Sequence, residues 1–405
     1  MLHVADAIDL ICARGPRLPA ISLPITAALG YTLAADVVAE EDLPAFDNSA
    51  VDGFAVHSAD LAGATPELPS SLVCEVTIAA GADQVPPLPP SRAARVVTGA
   101  PLPAGADAVV PCEQAARDEQ GQVLFMAEPA VGANCRRRGC DLRRGATMLT
   151  AGTTLRPADL MLLAALGQTS VSVARRPRLA LITCGDALVP VGQQPARGQV
   201  RDCNLLGLPL ALAQAGAEVV GAHHVVDSPA ALEEALGEYV GLDAVLTVGG
   251  VSAGTELVRA ALDRLGRREF WRVAVKPGKP LLFGRLGEAA FFGLPGNPVS
   301  ALVAIDLFVR PALDAMLGRQ GGRRRVAGVW AGAVQSDVRR AEYVRVVAEP
   351  NERGVWVATP TGCQSSGRLT TMIGANAYGV IPVGVAGVAP GDAAMIELFE
   401  QGVGA

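Results

Sequence analysis

Apolar and polar positions change their period several times along this chain, and each change predicts a different architecture. Residues 3–14 carry Val4, Ile8 and Ile11 at helical spacing and predict an amphipathic helix. Leu18–Ala39 reads as a packed linker and helix. From about 46 to 142 short apolar runs alternate with Pro/Gly turns, so Leu72–Ile78, Arg95–Val97, Ala108–Pro111 and Gln122–Met126 predict strands. Pro157–Leu166 predicts a helix opened by proline, followed by a strand at Ser170–Val173. Arg178–Thr183, Glu218–Val226 and Ala244–Val248 then predict strands that alternate with helices at Asn204–Gly216 and Pro229–Tyr239. That alternation predicts a doubly wound parallel sheet. Leu281–Phe283 and Ala289–Gly293 are apolar without alternation and read as further buried parallel strands, with a helix over Val299–Val309 after them. After Arg323 the pattern is all-β: Gly328–Gln335, Glu342–Ala348, Val355–Thr359, Tyr378–Pro382 and Ala394–Phe399 close a small barrel or sandwich, with Asn351–Gly354 as a hairpin turn.

The fold class expected is therefore multidomain α/β plus β. Residues 1–45 and 143–176 form a discontinuous mixed domain, and 46–142 a β-rich insertion. Residues 177–322 form the α/β domain, and 323–405 a C-terminal β domain. A chain of 405 residues, half of them hydrophobic, has ample material for several cores. The net charge of −6 argues against general nucleic-acid binding. No apolar run reaches membrane-spanning length, and Asp6 and Asp9 sit where a signal peptide would be apolar, so the expected compartment is the cytoplasm. Eight scattered cysteines with no Cys-x-x-Cys predict reduced thiols. His223 and His224 are adjacent on a strand, point to opposite faces and make a poor metal pair.

The candidate chemistry begins with lysine. Of 34 basic residues only Lys276 and Lys279 are lysines, and they share the five residues KPGKP. Lysine is a compact point charge where arginine is a planar fork, so a site for a small tetrahedral oxyanion or a phosphate has reason to require it. The nearby run Leu294–Pro298 offers Asn297 as helix cap and Pro298 as first helical residue, and the free N–H groups of such a helix start suit an anion. Capping alone would explain Asn297. Asp186, Asp227 and Ser252 each follow a predicted strand, so they are expected at one sheet edge. Two aspartates beside a lysine pair suggest a magnesium and phosphate site. Thr98 lies in a stiff Pro/Gly turn that presents a hydroxyl and backbone N–H groups, and Asp52 sits in a Val-Asp-Gly turn before a strand. Arg136, Arg137, Arg138, Arg143 and Arg144 surround Asp141; such a run binds phosphates or forms a solvated face. Neither a P-loop nor a G-x-G-x-x-G fingerprint is present.

Taken together, DNSAVDGFAV, RVVTGAPLPAGADAVV, ANCRRRGCDL, GGVSAG, KPGKP and GLPGNPVSAL resemble one family over essentially residues 1–400. It is the molybdopterin molybdenumtransferase family, called MoeA in bacteria and matching the gephyrin E domain. The resemblance implies a molybdopterin-binding α/β domain, a C-terminal β-barrel, and an enzyme of molybdenum cofactor biosynthesis. Its substrates would be adenylylated molybdopterin and molybdate, with Mg²⁺-dependent hydrolysis and release of AMP. It implies that Asp52, Thr98, Asp141, Asp186, Asp227, Ser252, Lys276, Lys279, Asn297, Pro298, Arg340 and Ser366 lie at or near the functional cleft. Lys276 and Lys279 would hold molybdate or phosphate, with Ser252 and the Pro298 helix start beside them. Asp186 and Asp227 would hold Mg²⁺ or position water, and Arg340 and Ser366 would contact the anion from the last domain. It further implies a homodimer with shared sites, in which Asp52 and Asp141 act in trans, and a molybdopterin adenylyltransferase as candidate partner. Three departures stand out. Ala187 and Cys140 replace glutamates usual in the family, and Thr255-Glu256 follows GGVSAG where an aspartate is usual. These departures would suit a non-catalytic molybdopterin carrier or scaffold, which the lysine pair disfavours. A nucleotide pyrophosphatase related to CinA-like proteins would explain the α/β domain only.

Overall fold

The run Arg178–Cys184 is buried at every position but its first, as a strand covered on both faces must be. In this computed structural model, which describes residues 1–251, 256–319 and 322–399, it lies next to the centre of a six-stranded sheet. We label its strands β1 (Arg178–Cys184), β2 (Glu218–Val225), β3 (Ala244–Val248) and β4 (Arg267–Trp271). The two-residue β5 (Val275–Lys276) lies outside it, and β6 (Leu282–Leu286) and β7 (Ala289–Leu294) complete it. The order is β2-β1-β3-β7-β6-β4. The first four strands are mutually parallel, as the sequence predicts. The β6 strand corrects the expectation for Leu281–Phe283: it runs antiparallel to both β7 and β4. Only Gly287 and Glu288 separate it from β7, too few residues for the crossover that a parallel partner needs. Side chains alternate between two cores. Leu179, Leu181, Leu246 and Phe292 face one, with Ala7 and Ile11 of helix Val4–Arg14; Ile182, Val245 and Phe291 face the other.

The helix expected over Val299–Val309 begins at Pro298 and is regular only to Ala304; a π-helical turn at Ile305–Val309 then leads into a further helix, Arg310–Leu317. That helix ends at Gly318, whose φ of 69° closes it in the left-handed conformation. Residues 18–39 hold no regular α-helix. Ala20–Pro24 and Thr32–Leu33 instead flank Ser170–Ala174 in a three-stranded antiparallel sheet.

The barrel consists of β8 (Arg325–Trp330), β9 (Ala341–Pro350), β10 (Trp356–Pro360), β11 (Ala377–Ile381) and β12 (Ala393–Leu398). Its neighbours run β9-β10-β8-β12-β11, and a β9–β11 pairing closes the ring. Asn351 starts the predicted hairpin turn, its side-chain oxygen accepting from Arg353 N and Val355 N at 3.0 Å each. The short β5 strand pairs in parallel with the beginning of β9.

Packing separates the chain into two units. All the helices and strands described so far belong to the first. The second comprises residues 36–150 and 162–168 and contains a six-stranded sheet. In that sheet Gly53–Val56 lies between Ala108–Pro111 and Arg92–Val96, and Ser70–Ile78 pairs in parallel with the latter. Phe54 and Phe125 meet edge-to-face in its core at 5.9 Å. Among the described residues no helix is long and apolar enough to cross a membrane.

Candidate functional site

The strand order brings four loops onto one sheet edge in succession: those after β2, β1, β3 and β7. Two of these loops need glycine. A Cβ on Gly249 would stand 2.4 Å from the Cys184 carbonyl oxygen, and φ there is +95°. Gly296 closes against Gly249 from the loop after β7, so both backbones pack without side chains between them. The β5–β6 connection and the barrel loop at Gln364–Ser366 complete a cleft of about 600 Å³. Lys276, Lys279, Asn297, Arg340 and Ser366 all line it.

The two lysines differ. Lys276 Nζ lies 2.9 Å from Glu342 Oε1, and the Glu342 side chain is only 1% exposed. Among the described residues Lys279 makes no ion pair, and it is an exposed residue of the cleft lining. Asn297 occupies the cap position before Pro298, but its side chain makes no capping bond. Its amide instead donates to Ser366 Oγ at 3.1 Å, while its carbonyl accepts from Ala301 N at 2.9 Å. Pro298 is the first helical residue, as expected. Arg340 is held by Asp337 at 3.0 Å.

Two residues that sequence reasoning passed over support this wall. Glu342 is one. Arg345 is the other, fully buried on the same strand. Its Nε donates to Thr371 Oγ1 at 3.2 Å and its Nη2 to the Ser365 carbonyl at 3.3 Å, while its backbone N–H donates to Gln364 Oε1 at 2.9 Å. These bonds fix the loop that carries Ser366. Burial pushes the Arg345 guanidinium below its ordinary value, and the Glu342 carboxylate opposes that. A signal was present: in AEYVRV, a glutamate and an arginine interrupt a run that otherwise reads as a buried strand.

Asp186 and Asp227 do meet, although neither lines the lysine cleft. Asp227 N donates to Asp186 Oδ1 at 2.9 Å, and Asp186 N to Asp227 Oδ2 at 3.4 Å. The His224 ring lies 2.8 Å from the Gly185 carbonyl and the His223 ring 3.1 Å from the Tyr239 hydroxyl, so the adjacent histidines have separate partners. Burial, then the Asp227 charge, pushes the Cys184 thiol up to about 12. Among the described residues no group of three or more His, Cys, Asp or Glu side chains is arranged to hold a metal ion. The Asp186–Asp227 pair offers two carboxylates, and one or two suffice for Mg²⁺ when phosphates and water complete its shell, so the pair would fit it. Ser252 and Thr255 lie outside the described residues.

In the second unit, Asp52 Oδ1 accepts from Thr98 N at 2.7 Å and Thr98 Oγ1 at 2.8 Å. Those bonds hold the Asp52 carboxyl below its ordinary range. Asp141 is exposed, and its backbone N–H donates to the Leu43 carbonyl at 3.1 Å. Two arginines of the basic run have carboxylate partners: Arg137 pairs with Asp47 at 2.7 Å and Arg138 with Asp42 at 2.6 Å.

Residues 2–167 match the family described as MoeA N-terminal region (domain I and II). Residues 180–315 match the probable molybdopterin binding domain, and 328–399 the MoeA C-terminal region (domain IV). The molybdopterin molybdenumtransferase of Haemophilus influenzae is 33% identical over 388 residues, covering 94% of each chain. Molybdopterin molybdenumtransferase 2 of Mycobacterium tuberculosis is 37% identical over 380 residues, 92% of this chain and 93% of that one. The solved structure of molybdopterin biosynthesis moeA protein from Pyrococcus horikoshii OT3 superimposes with a TM-score of 0.85 at 27% identity, over 98% of this chain and 100% of that one. Identity above 30% across nine-tenths of both partners, with all three regions matched in order, means that this chain belongs to the molybdopterin molybdenumtransferase (MoeA) family.

Proposed function

We propose that this protein is a molybdopterin molybdenumtransferase acting in molybdenum cofactor biosynthesis. Its substrates are adenylylated molybdopterin and molybdate; the phosphoanhydride is hydrolysed, AMP leaves, and molybdenum stays on the dithiolene. The observation that carries this reading is that the chain's only two lysines line one cleft at the sheet edge. Molybdate and phosphate are tetrahedral oxyanions, and ammonium groups are natural hosts for them. Lys276 and Lys279 bind the oxyanion, while Asn297, Arg340 and Ser366 form the surrounding wall, with Ser252 and the helix start at Pro298 beside them.

Asp186 and Asp227 would hold Mg²⁺ together with the substrate's phosphates. Bound there, the metal would supply positive charge against the phosphoanhydride. Asp227 and Asp186 orient one another through their backbone N–H groups, so neither carboxylate needs a side-chain partner to stay in place. Asp52, pre-oriented by Thr98, and Asp141 act on the site of a second subunit in a homodimer. The protein works in the cytoplasm and receives its substrate from a molybdopterin adenylyltransferase. The relatives that match the full chain are named as transferases, so a carrier without catalysis is not favoured despite Ala187 and Cys140.

The test is AMP release from adenylylated molybdopterin with Mg²⁺, with and without molybdate, for the wild type and a Lys276→Ala/Lys279→Ala variant. Molybdate-dependent release that the variant loses supports the reading. Tight substrate binding with no AMP release by the wild type would sink it.

A further inference from the structure

Glu342 poses a physical question. A carboxylate that is 1% exposed is costly to bury, and this one has a single side-chain partner, Lys276. Its second oxygen, Oε2, is buried without a hydrogen-bond partner. Strand pairing does not need the ion pair. The register of β5 on β9 already sets Lys276 beside Glu342, and Ala341 N donates to the Ala274 carbonyl at 2.9 Å. Buried ion pairs are in general a poor source of stability compared with packed apolar residues. The pair therefore adds something other than adhesion. What it does is hold one ammonium in place: Lys276 lines the cleft with its side chain 34% exposed, and its Nζ rests on the Glu342 carboxylate.

We infer that Glu342 is a positioning residue of the lysine cleft: its buried carboxylate fixes the Lys276 ammonium and offsets its charge, leaving Lys279 to supply the net attraction for a tetrahedral oxyanion. The inference rests on the transferase reading for the identity of the anion, and on the geometry for the rest. Arg345, buried on the same strand, is a second cation near Glu342, and its side-chain hydrogen bonds run to Thr371 and Ser365 instead. The two lysines of KPGKP thus divide the work. One is tethered and directional; the other has no ion pair among the described residues and carries the long-range charge.

The chain's two-lysine content makes this directly readable. Full-length protein labelled with ¹³C-lysine gives two side-chain signals, and Lys279→Gln assigns them. The Lys276 signal of the wild type is expected to be the less mobile one, and added molybdate perturbs Lys279 first. In Glu342→Gln the cleft gains one unit of positive charge. Molybdate then binds about three- to tenfold more tightly and with a steeper salt dependence. Turnover falls because the ammonium is less firmly aimed, so KM for molybdate and kcat drop together. Glu342→Asp keeps the charge and shortens the reach, so it restores wild-type molybdate affinity with kcat still low.

Wild-type molybdate affinity, salt dependence and kcat in Glu342→Gln, with only a lower melting temperature, would overturn the inference. So would two wild-type lysine signals of equal mobility, which decides the matter even where a variant fails to fold. Wild-type protein that shows the two-lysine pattern yet releases no AMP would sink the transferase reading and leave this inference standing.

Discussion

Removing Lys276 exposes the energetic consequence of its pairing. Lys276→Met keeps the apolar stem and deletes the ammonium, leaving the Glu342 carboxylate 1% exposed with neither oxygen bonded to a side chain among the described residues. Breaking a fully buried pair by removing one partner costs about 3–5 kcal/mol. Here the lysine side chain is 34% exposed, so water already screens part of the pair, and about 2–3 kcal/mol is expected. For a unit of this size that lowers the melting temperature by roughly 3–5 °C. Lys276→Met/Glu342→Leu removes the stranded charge as well and should recover most of the loss. The assay is scanning calorimetry at neutral pH on wild type, both single variants and the double variant, following the transition of the unit that holds the cleft. Two units can melt separately, so the shift is read on that transition alone. A Lys276→Met protein that melts within about 1 °C of wild type would refute the reasoning, because it would mean that the carboxylate had another partner. A double variant less stable than the single would refute it equally.

Three further outcomes are expected. Gly249→Ala forces a Cβ to 2.4 Å from the Cys184 carbonyl at a φ of +95°, so the loop must shift; molybdate affinity should fall about tenfold or more, measured by calorimetric titration. Thr98→Val removes one of two hydrogen bonds that depress the Asp52 carboxyl. In the wild type the stability that this depression confers is present at neutral pH and lost as pH falls through the lowered value. The variant should therefore titrate at higher pH by NMR, and no change would refute the assignment. Cys184 and Tyr343 are both raised to about 12 by burial, so their contribution is complete below their ordinary values and is lost as pH rises towards 12. Alkylation of the native protein at pH 8 should label the exposed Cys140 and Cys363 and spare Cys184; rapid labelling of Cys184 would show that it is not buried.

Much of the α/β sheet could be read from the sequence because its signals are local. Apolar runs of strand length, separated by helices, specify parallel strands, and the ends of β1 and β2 fall within a residue or so of expectation. That alternation alone places Asp186 and Asp227 together, and the carboxylate of each accepts from the other's backbone N–H. The direction of β6 was not legible from its composition, since an apolar strand in the middle of a sheet looks alike in either orientation. The hairpin at Gly287-Glu288 decides it.

At the cleft, sequence determined which groups are present: two lysines in a chain of arginines, and a Pro-Gly-Asn-Pro loop at a strand end. Tertiary structure decided what each of them does. Asn297 is in the cap position, yet its amide is spent on Ser366 from the barrel, far along the chain. Lys276 and Lys279 are equivalent in the sequence and unlike in space, because only one has Glu342 beneath it. Glu342 and Arg345 are ordinary charged residues in the sequence and become buried organisers once β9 is laid against β5. The physical reason is that burial and pairing belong to the set of neighbours, and here those neighbours come from strands that local periodicity does not bring together.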